Sequence, residues 1–260
     1  MRRLASFFRR PPPANRRLSF PQWPSAVYAV GDVHGCYRQL VALEHAIEAD
    51  AASLPGEKWI VMLGDYVDRG PDSASVVEHL MAQTSSGLRR FNLMGNHEAM
   101  LLNYLAAPLQ HQEWLAYGGQ ATLTSYAQLN AADRPVIPQA HQEFLAGLPY
   151  TLSLPGIIFV HAGIRPQVPL PYQATDDLLW IREPFLSAVN LLPRVVHGHT
   201  PGTEPVVTSS RICVDTTAFR TGILTSVRVN GGPNIRFINS NGVTVDADWP
   251  SSLHSRPTRK

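Results

Sequence analysis

Three apolar runs, AVYAV at 26–30, KWIVML at 58–63 and RRFNLM at 89–94, each end in a glycine-led polar pair: Gly31-Asp32, Gly64-Asp65 and Gly95-Asn96. Between them lie YRQLVALEHAIEAD and DSASVVEHLMAQTS, whose apolar residues recur at helical spacing. Strand, helix, strand, helix, strand is the order of a parallel sheet with crossover helices. Residues 97–148 continue at helical spacing, broken by Pro and Gly, in HEAMLLNYLAA, QEWLAYGG, QATLTSYAQL and QAHQEFLAGL. Gly118-Gly119 is expected to close one helix and turn the chain. After Pro149 the pattern returns to strands: YTLSLPGIIFVHAG, RVVHGHT, SRICVDTT, GILTSVRV and NIRFINS. No fixed-period repeat is present. The expected fold class is α/β (α+β), with two mixed β-sheets packed together and flanked by helices.

A chain of 260 residues with 44% hydrophobic and 16% charged residues has ample material for a packed core. Its net charge of +2 hides an uneven distribution. Residues 1–24 hold six Arg and residues 251–260 hold Arg256, Arg259 and Lys260, with no acidic residue in either stretch. The remaining 13 basic and 20 acidic residues make the body −7. The division expected is a basic, Pro/Arg-rich flexible arm over 1–24, one globular domain over 25–245 and a flexible tail over 246–260. The apolar stretch LASFF is too short for a secretory signal. No apolar run is long enough to cross a membrane as a helix. Cys36 and Cys213 are too few for a disulfide framework, so a cytoplasmic address is the default. An acidic body argues against nucleic acid as a main partner. The arm reads as a solvated tail or as a dock for an acidic partner.

The chemistry sits at the strand ends: GDVHG at 31–35, GDYVDRG at 64–70, GNHE at 95–98, HAG at 161–163 and HGHT at 197–200. Loops at the carboxyl ends of neighbouring strands open into one crevice. Asp32, His34, Asp65, Asn96, His161 and His199 would bring two carboxylates, one amide and three imidazoles together there. Mixed oxygen and nitrogen ligands without thiolates suit Mn, Fe or Zn. Six such ligands exceed what one cation needs, whereas two cations about 3.5–4 Å apart can share a bridging carboxylate. Any one of these residues alone is more often a turn, a cap or a core histidine. Their recurrence on five strands is what argues for a site.

The ordered set GD-x-HG, GD-x-VDRG, GNHE, HAG, GHT resembles the metal-dependent phosphoprotein phosphatases, within the calcineurin-like metallophosphoesterases, and is nearest their compact bacterial and phage members. The likeness covers 31–200, and the strands to about 240 continue it. It implies a calcineurin-like sandwich and two divalent cations, with Mn the first expectation in vitro and Fe or Zn the others. By similarity Asp32, His34 and Asp65 would hold one cation, and Asp65, Asn96, His161 and His199 the second. His199, not His197, stands at the ligand position of HGHT. His97 matches the general acid that protonates the leaving alkoxide, and Asp68 the carboxylate that orients it. Arg69 and Arg182, with Asn96, would bind the phosphate. The implied activity is hydrolysis of phosphoprotein monoesters on Ser or Thr, with Tyr as a further target, by direct attack of a dimetal-bound hydroxide.

Two departures stand out: Met94 replaces a basic residue common in relatives, and Thr217 a common Gly. The main alternative is a symmetrical dinucleoside polyphosphate hydrolase. Such enzymes tend to lack the acid of VDRG and to carry GNHD, so Asp68 and Glu98 favour the phosphatase. A third alternative, a non-catalytic docking protein, is disfavoured by the complete ligand set.

Overall fold

The computed structural model describes residues 16–84, 87–129 and 137–250. The first half of the chain runs β1 (Arg17–Ser19), β2 (Ala26–Val30), α1 (Tyr37–Ala51), β3 (Lys58–Met62), α2 (Ser73–Met81) and β4 (Arg89–Asn92). A helical stretch follows: α3 (Asn96–Ala106), α4 (Gln120–Leu129) and α5 (Gln139–Gly147). Then come β5 (Thr151–Leu154), β6 (Ile157–Val160), α6 (Thr175–Trp180), β7 (Arg194–His197), β8 (Val206–Val207) and β9 (Arg211–Cys213). The chain closes with α7 (Ala218–Thr221), β10 (Thr225–Val229), β11 (Asn234–Asn239) and β12 (Thr244–Asp248).

The strands form two six-stranded sheets, ordered β12-β11-β10-β2-β3-β4 and β1-β5-β6-β7-β9-β8. β2, β3 and β4 are parallel, as are β6, β7 and β9. Continuous apolar runs mark strands buried on both faces, and β2 shows why. Its Val27 and Ala29 face the inter-sheet core with Val61, Phe159 and Val196. Its Ala26, Tyr28 and Val30 face a second core made with Leu40, Leu43 and Ile47 of α1. In β6, Ile157 and Phe159 join the inter-sheet core, while Ile158 and Val160 pack with Leu178 of α6. The expected α/β sandwich of two mixed sheets with outer helices is thus the observed fold.

The expected domain boundaries shift outward at both ends. β1 pairs in parallel with β5, Leu18 opposite Leu152, so residues 16–24 belong to the body and not to a flexible arm. Arg16 donates to the Leu148 carbonyl and Arg17 to those of Leu170 and Gln173. Residues 1–15 of the expected arm lie outside the described residues. At the other end β12 pairs antiparallel with β11, and Trp249 is buried between the sheets. Residues 251–260 of the expected tail again lie outside the described residues. Gly118 takes φ +115° as a chain reversal demands, but Gly119 leads straight into α4 without a loop.

Candidate active site

The loops after β2, β3, β4, β6 and β7 meet at one edge of the sandwich, joined backbone to backbone. Val33 and His34 donate their N–H groups to the Asp65 carbonyl at 3.0 and 2.8 Å. Gly70 donates to the His34 carbonyl at 3.0 Å, and Gly198 to that of His161 at 2.9 Å. Two motif glycines leave no space for a side chain. A Cβ on Gly95 would lie 2.2 Å from the Asp65 nitrogen, and one on Gly198 would lie 2.1 Å from Asp32 Oδ1. Eight described non-glycine residues have positive φ, and five of them are expected site residues: His34, Asp65, Asp68, Arg69 and His199. Such conformations cost about 1–3 kcal/mol each and persist only where the surroundings over-determine them, typically at functional sites.

The donor atoms are oriented for cations. His34 Nδ1 donates to the Val67 carbonyl at 2.9 Å and His161 Nδ1 to that of Leu63 at 3.1 Å, which leaves each Nε2 as a lone pair. His161 Nε2 then faces Asn96 Oδ1 at 2.8 Å and Asp65 Oδ1 at 3.3 Å, so lone pairs of three side chains converge on one point. His199 Nδ1 adds a fourth atom, 2.9 Å from Asn96 Oδ1. Nitrogen and oxygen donors converging this closely without a thiolate are what a divalent cation takes, so these residues fit one. Two groups of potential ligands emerge, His34 with Asp65 and His97, and Asp65 with His161 and His199. Asp65 belongs to both, as a bridging carboxylate must. Asp32 stands apart from these groups: its carboxylate accepts the His199 N–H at 3.1 Å and hydrogen-bonds the Asp215 carboxyl.

Burial sets the protonation. It raises Asp65, aided by the nearby Glu98 charge, and raises Asp32, aided by Asp215. It pushes His34 and His161 well below the usual imidazole range and lowers His199 to about 2, partly through His161. The imidazoles are therefore neutral, the form in which they ligate metals.

Beside this cluster, His97 Nδ1 donates to Asp68 Oδ2 at 2.6 Å, leaving Nε2 toward the crevice. Burial raises Asp68 to about 7, opposed by hydrogen bonds from Thr122 and Trp114, and lowers His97 to about 3, with Arg69 adding to the effect. Arg69 reaches His34 Nε2 at 2.9 Å and His97 Nε2 at 3.0 Å, and its guanidinium lies over the Phe219 ring at 4.9 Å. A cation on His34 Nε2 and this guanidinium are alternatives, so a bound metal would leave Arg69 available to an anion. Arg182 is exposed and donates to the His199 carbonyl at 3.3 Å.

All the expected site residues thus gather at one edge. His197 does not face the cluster: it lies against Phe185, 3.2 Å from Arg211 Nη1. Met94 is buried, and Thr217 takes φ +55°, a conformation glycine adopts without strain. Several participants were not evident in the sequence. Glu98, weighed there only against the GNHD of polyphosphate hydrolases, accepts from the backbone N–H groups of Asp65, Tyr66 and Gly95 at 2.8, 2.7 and 3.0 Å. Asp215, Trp114, Thr122 and Phe219 carried no motif signal; only the position of Asp215 after an apolar run hinted at a site.

Known proteins resemble this chain in sequence and fold. The chain is 29% identical over 232 residues to serine/threonine-protein phosphatase 1 of Salmonella typhimurium, covering 85% of this chain and 99% of that one. It is 24% identical over 220 residues to the asymmetrical bis(5'-nucleosyl)-tetraphosphatase PrpE of Geobacillus thermodenitrificans, covering 76% of this chain and 88% of that one. The solved structure of a cold-active protein tyrosine phosphatase shares the fold at TM-score 0.63 and 18% identity, over 89% of this chain and 82% of that one. The family profile described as Metallophos, calcineurin-like phosphoesterase, matches residues 26–230. The chain is a member of the calcineurin-like phosphoesterase family.

Proposed function

We propose that this hydrolase removes phosphate from phosphoproteins, acting on phosphoserine and phosphothreonine with phosphotyrosine within its reach. Asp32, His34 and Asp65 would hold one divalent cation, and Asp65, Asn96, His161 and His199 the other, with Mn first in vitro and Fe or Zn as alternatives. Such a pair polarises phosphoryl oxygens and acidifies a water near neutral pH. Arg69 and Arg182 bind and orient the phosphate through their planar forks, together with the Asn96 amide. His97 delivers a proton from Nε2 to the leaving oxygen, held in line by Asp68 through Nδ1. The arriving phosphate dianion supplies the negative charge that favours its protonated form.

The observation that carries this reading is the 2.6 Å contact between His97 and Asp68. A serine or threonine alkoxide leaves poorly without a proton, whereas a nucleotide phosphate is a stable leaving group that needs far less help. The tetraphosphatase relatives keep dinucleoside polyphosphate hydrolysis as a second reading. Against it, a cavity of about 530 Å³ reaching Arg182 carries two arginines and three carboxylates: Arg165 and Arg182 with Asp176, Asp177 and Glu183. A polyphosphate chain would meet net negative charge there.

No described helix is long and apolar enough to cross a membrane. Both cysteines are buried and free, which suits a reducing, cytoplasmic setting. The undescribed basic residues before Arg16 would suit an acidic protein partner. The deciding experiment strips the protein with EDTA and measures phosphate release from phosphoserine, phosphothreonine and phosphotyrosine peptides and from diadenosine tetraphosphate, with and without Mn²⁺. Mn-dependent release from the peptides is expected. Turnover of the dinucleotide alone would replace this reading with the second one.

A further inference from the structure

We propose that Trp114 and Thr122 are positioning residues for the proton donor. In this view the stretch between them locks Asp68 and Arg69 into the backbone conformation the site needs. The inference rests on the reading of His97 as general acid. Asp68 and Arg69 are consecutive non-glycine residues at φ +74° and +69°, a pairing that local sterics disfavour. Four contacts from one short stretch oppose that tendency. Trp114 Nε1 donates to Asp68 Oδ2 at 2.7 Å, the same oxygen that receives His97 Nδ1. Thr122 Oγ1 donates to Asp68 Oδ1 at 2.7 Å and accepts the Asp68 N–H at 2.8 Å. The Arg69 N–H donates to the Gly118 carbonyl at 3.2 Å.

The stretch is shaped for this task. A kink at Gly118, with φ +115°, within Leu115–Gly119 brings Trp114 and Thr122 to the same carboxylate. A Cβ on Gly119 would lie 2.4 Å from the Trp114 ring, so the glycine makes room for the indole. Asp68, Trp114 and Thr122 are all fully buried, which strengthens each hydrogen bond and fixes the carboxylate in one orientation. With both oxygens of Asp68 occupied by donors, His97 Nδ1 has one defined target. Its Nε2 direction is then set by residues that never meet the substrate.

The test uses the metal-loaded full chain with Trp114→Phe, Thr122→Val and Thr122→Ser. Each is assayed on a phosphoserine peptide, whose alkoxide leaves poorly, and on p-nitrophenyl phosphate, whose phenolate leaves well. If the pair acts through the proton donor, Trp114→Phe and Thr122→Val lower kcat on the peptide by roughly 10–100-fold, the range of comparable supporting contacts. The aryl ester should lose several-fold less, with KM and two metals per chain retained, and Thr122→Ser should recover most of the loss. An equal fall on both substrates in both variants would reduce the residues to structural supports and overturn the proposal, as would no fall at all. A wild-type protein inactive on both monoesters would remove the underlying functional reading, and this inference with it.

Discussion

The strand-end loops and the helical stretch between β4 and β5 contribute to the same site in opposite ways. The loops supply residues whose chemistry is visible from type and spacing: Asp32 and His34 after β2, Asp65 after β3, His161 after β6, His199 after β7. Beyond the Asn96-His97-Glu98 start of α3, the helical stretch supplies an indole and a hydroxyl, Trp114 and Thr122, that both hydrogen-bond Asp68. Parallel strands place loops at one edge whatever the loops contain, so a polar residue there is already suspect. A Trp in a helical stretch is ordinary core material, and only the carboxylate 2.7 Å away makes it more than that. Groups that meet substrate or metal leave a signature in sequence, and groups that hold those groups in place rarely do.

The largest effect should come from the residue shared by both candidate ligand groups. Asp65→Asn keeps the shape of a side chain that is 3.5 Å from His34 Nε2 and 3.3 Å from His161 Nε2, while removing its charge. Turnover should be lost and metal content, read by mass spectrometry of the dialysed protein, should drop at both sites together. Full retention of one metal would contradict the bridging role. Next comes His97→Ala, expected to lower kcat by roughly 10²–10⁴-fold, as loss of a general acid does. Metal content should stay at two per chain, although His97 lies close enough to His34 and Asp65 to be taken for a ligand. Loss of a metal on this substitution would reassign it.

Glu98 tests the border between the two regions, because it opens α3 yet holds the loop after β3. Its oxygens accept the N–H groups of Asp65, Tyr66 and Gly95, with that of Val67 at 3.3 Å. An amide offers one acceptor oxygen and turns two N–H donors toward backbone N–H groups. Glu98→Gln should therefore weaken metal binding by roughly 10–100-fold, the cost of disturbing groups behind a ligand. Titration of the stripped protein with Mn²⁺ would measure it, and unchanged affinity would detach the loop from its helix.

Most of the sandwich was legible because strands buried on both faces read as unbroken apolar runs, as AVYAV does. The edges were not. β1 is three residues with one apolar side chain, Leu18, between polar neighbours, and no periodicity can be read from that. β12 is TVDAD with its side chains mostly exposed, so its sequence resembles a tail. Both owe their place to a partner strand that supplies backbone hydrogen bonds, and that partner is distant in sequence from β1. The site divided along the same line: the candidate ligands and His97 followed from motif, whereas Asp215 and the approach of Trp114 and Thr122 to Asp68 needed the folded chain. Arg69 was legible as a phosphate clamp, but its contact with His34 Nε2 was not, because that depends on the left-handed loop.

The smallest effect on catalysis, and a large one on stability, should come from the far end of the chain. Trp249 follows β12 and donates its indole N–H to the Thr208 carbonyl at 2.9 Å, with the Arg194 guanidinium 3.9 Å over its ring. It is 2% exposed and packs with Val229 and Ile235 in the core between the sheets. Trp249→Ala should cost about 3–5 kcal/mol, the usual range for emptying a buried aromatic site. Thermal unfolding should register that loss, while kcat and metal content at a temperature where the variant is folded stay at wild-type values. A tail that merely follows the domain would leave Tm unmoved. A variant that instead lost activity while folded would show that the edge strands, silent in the sequence, reach the site after all.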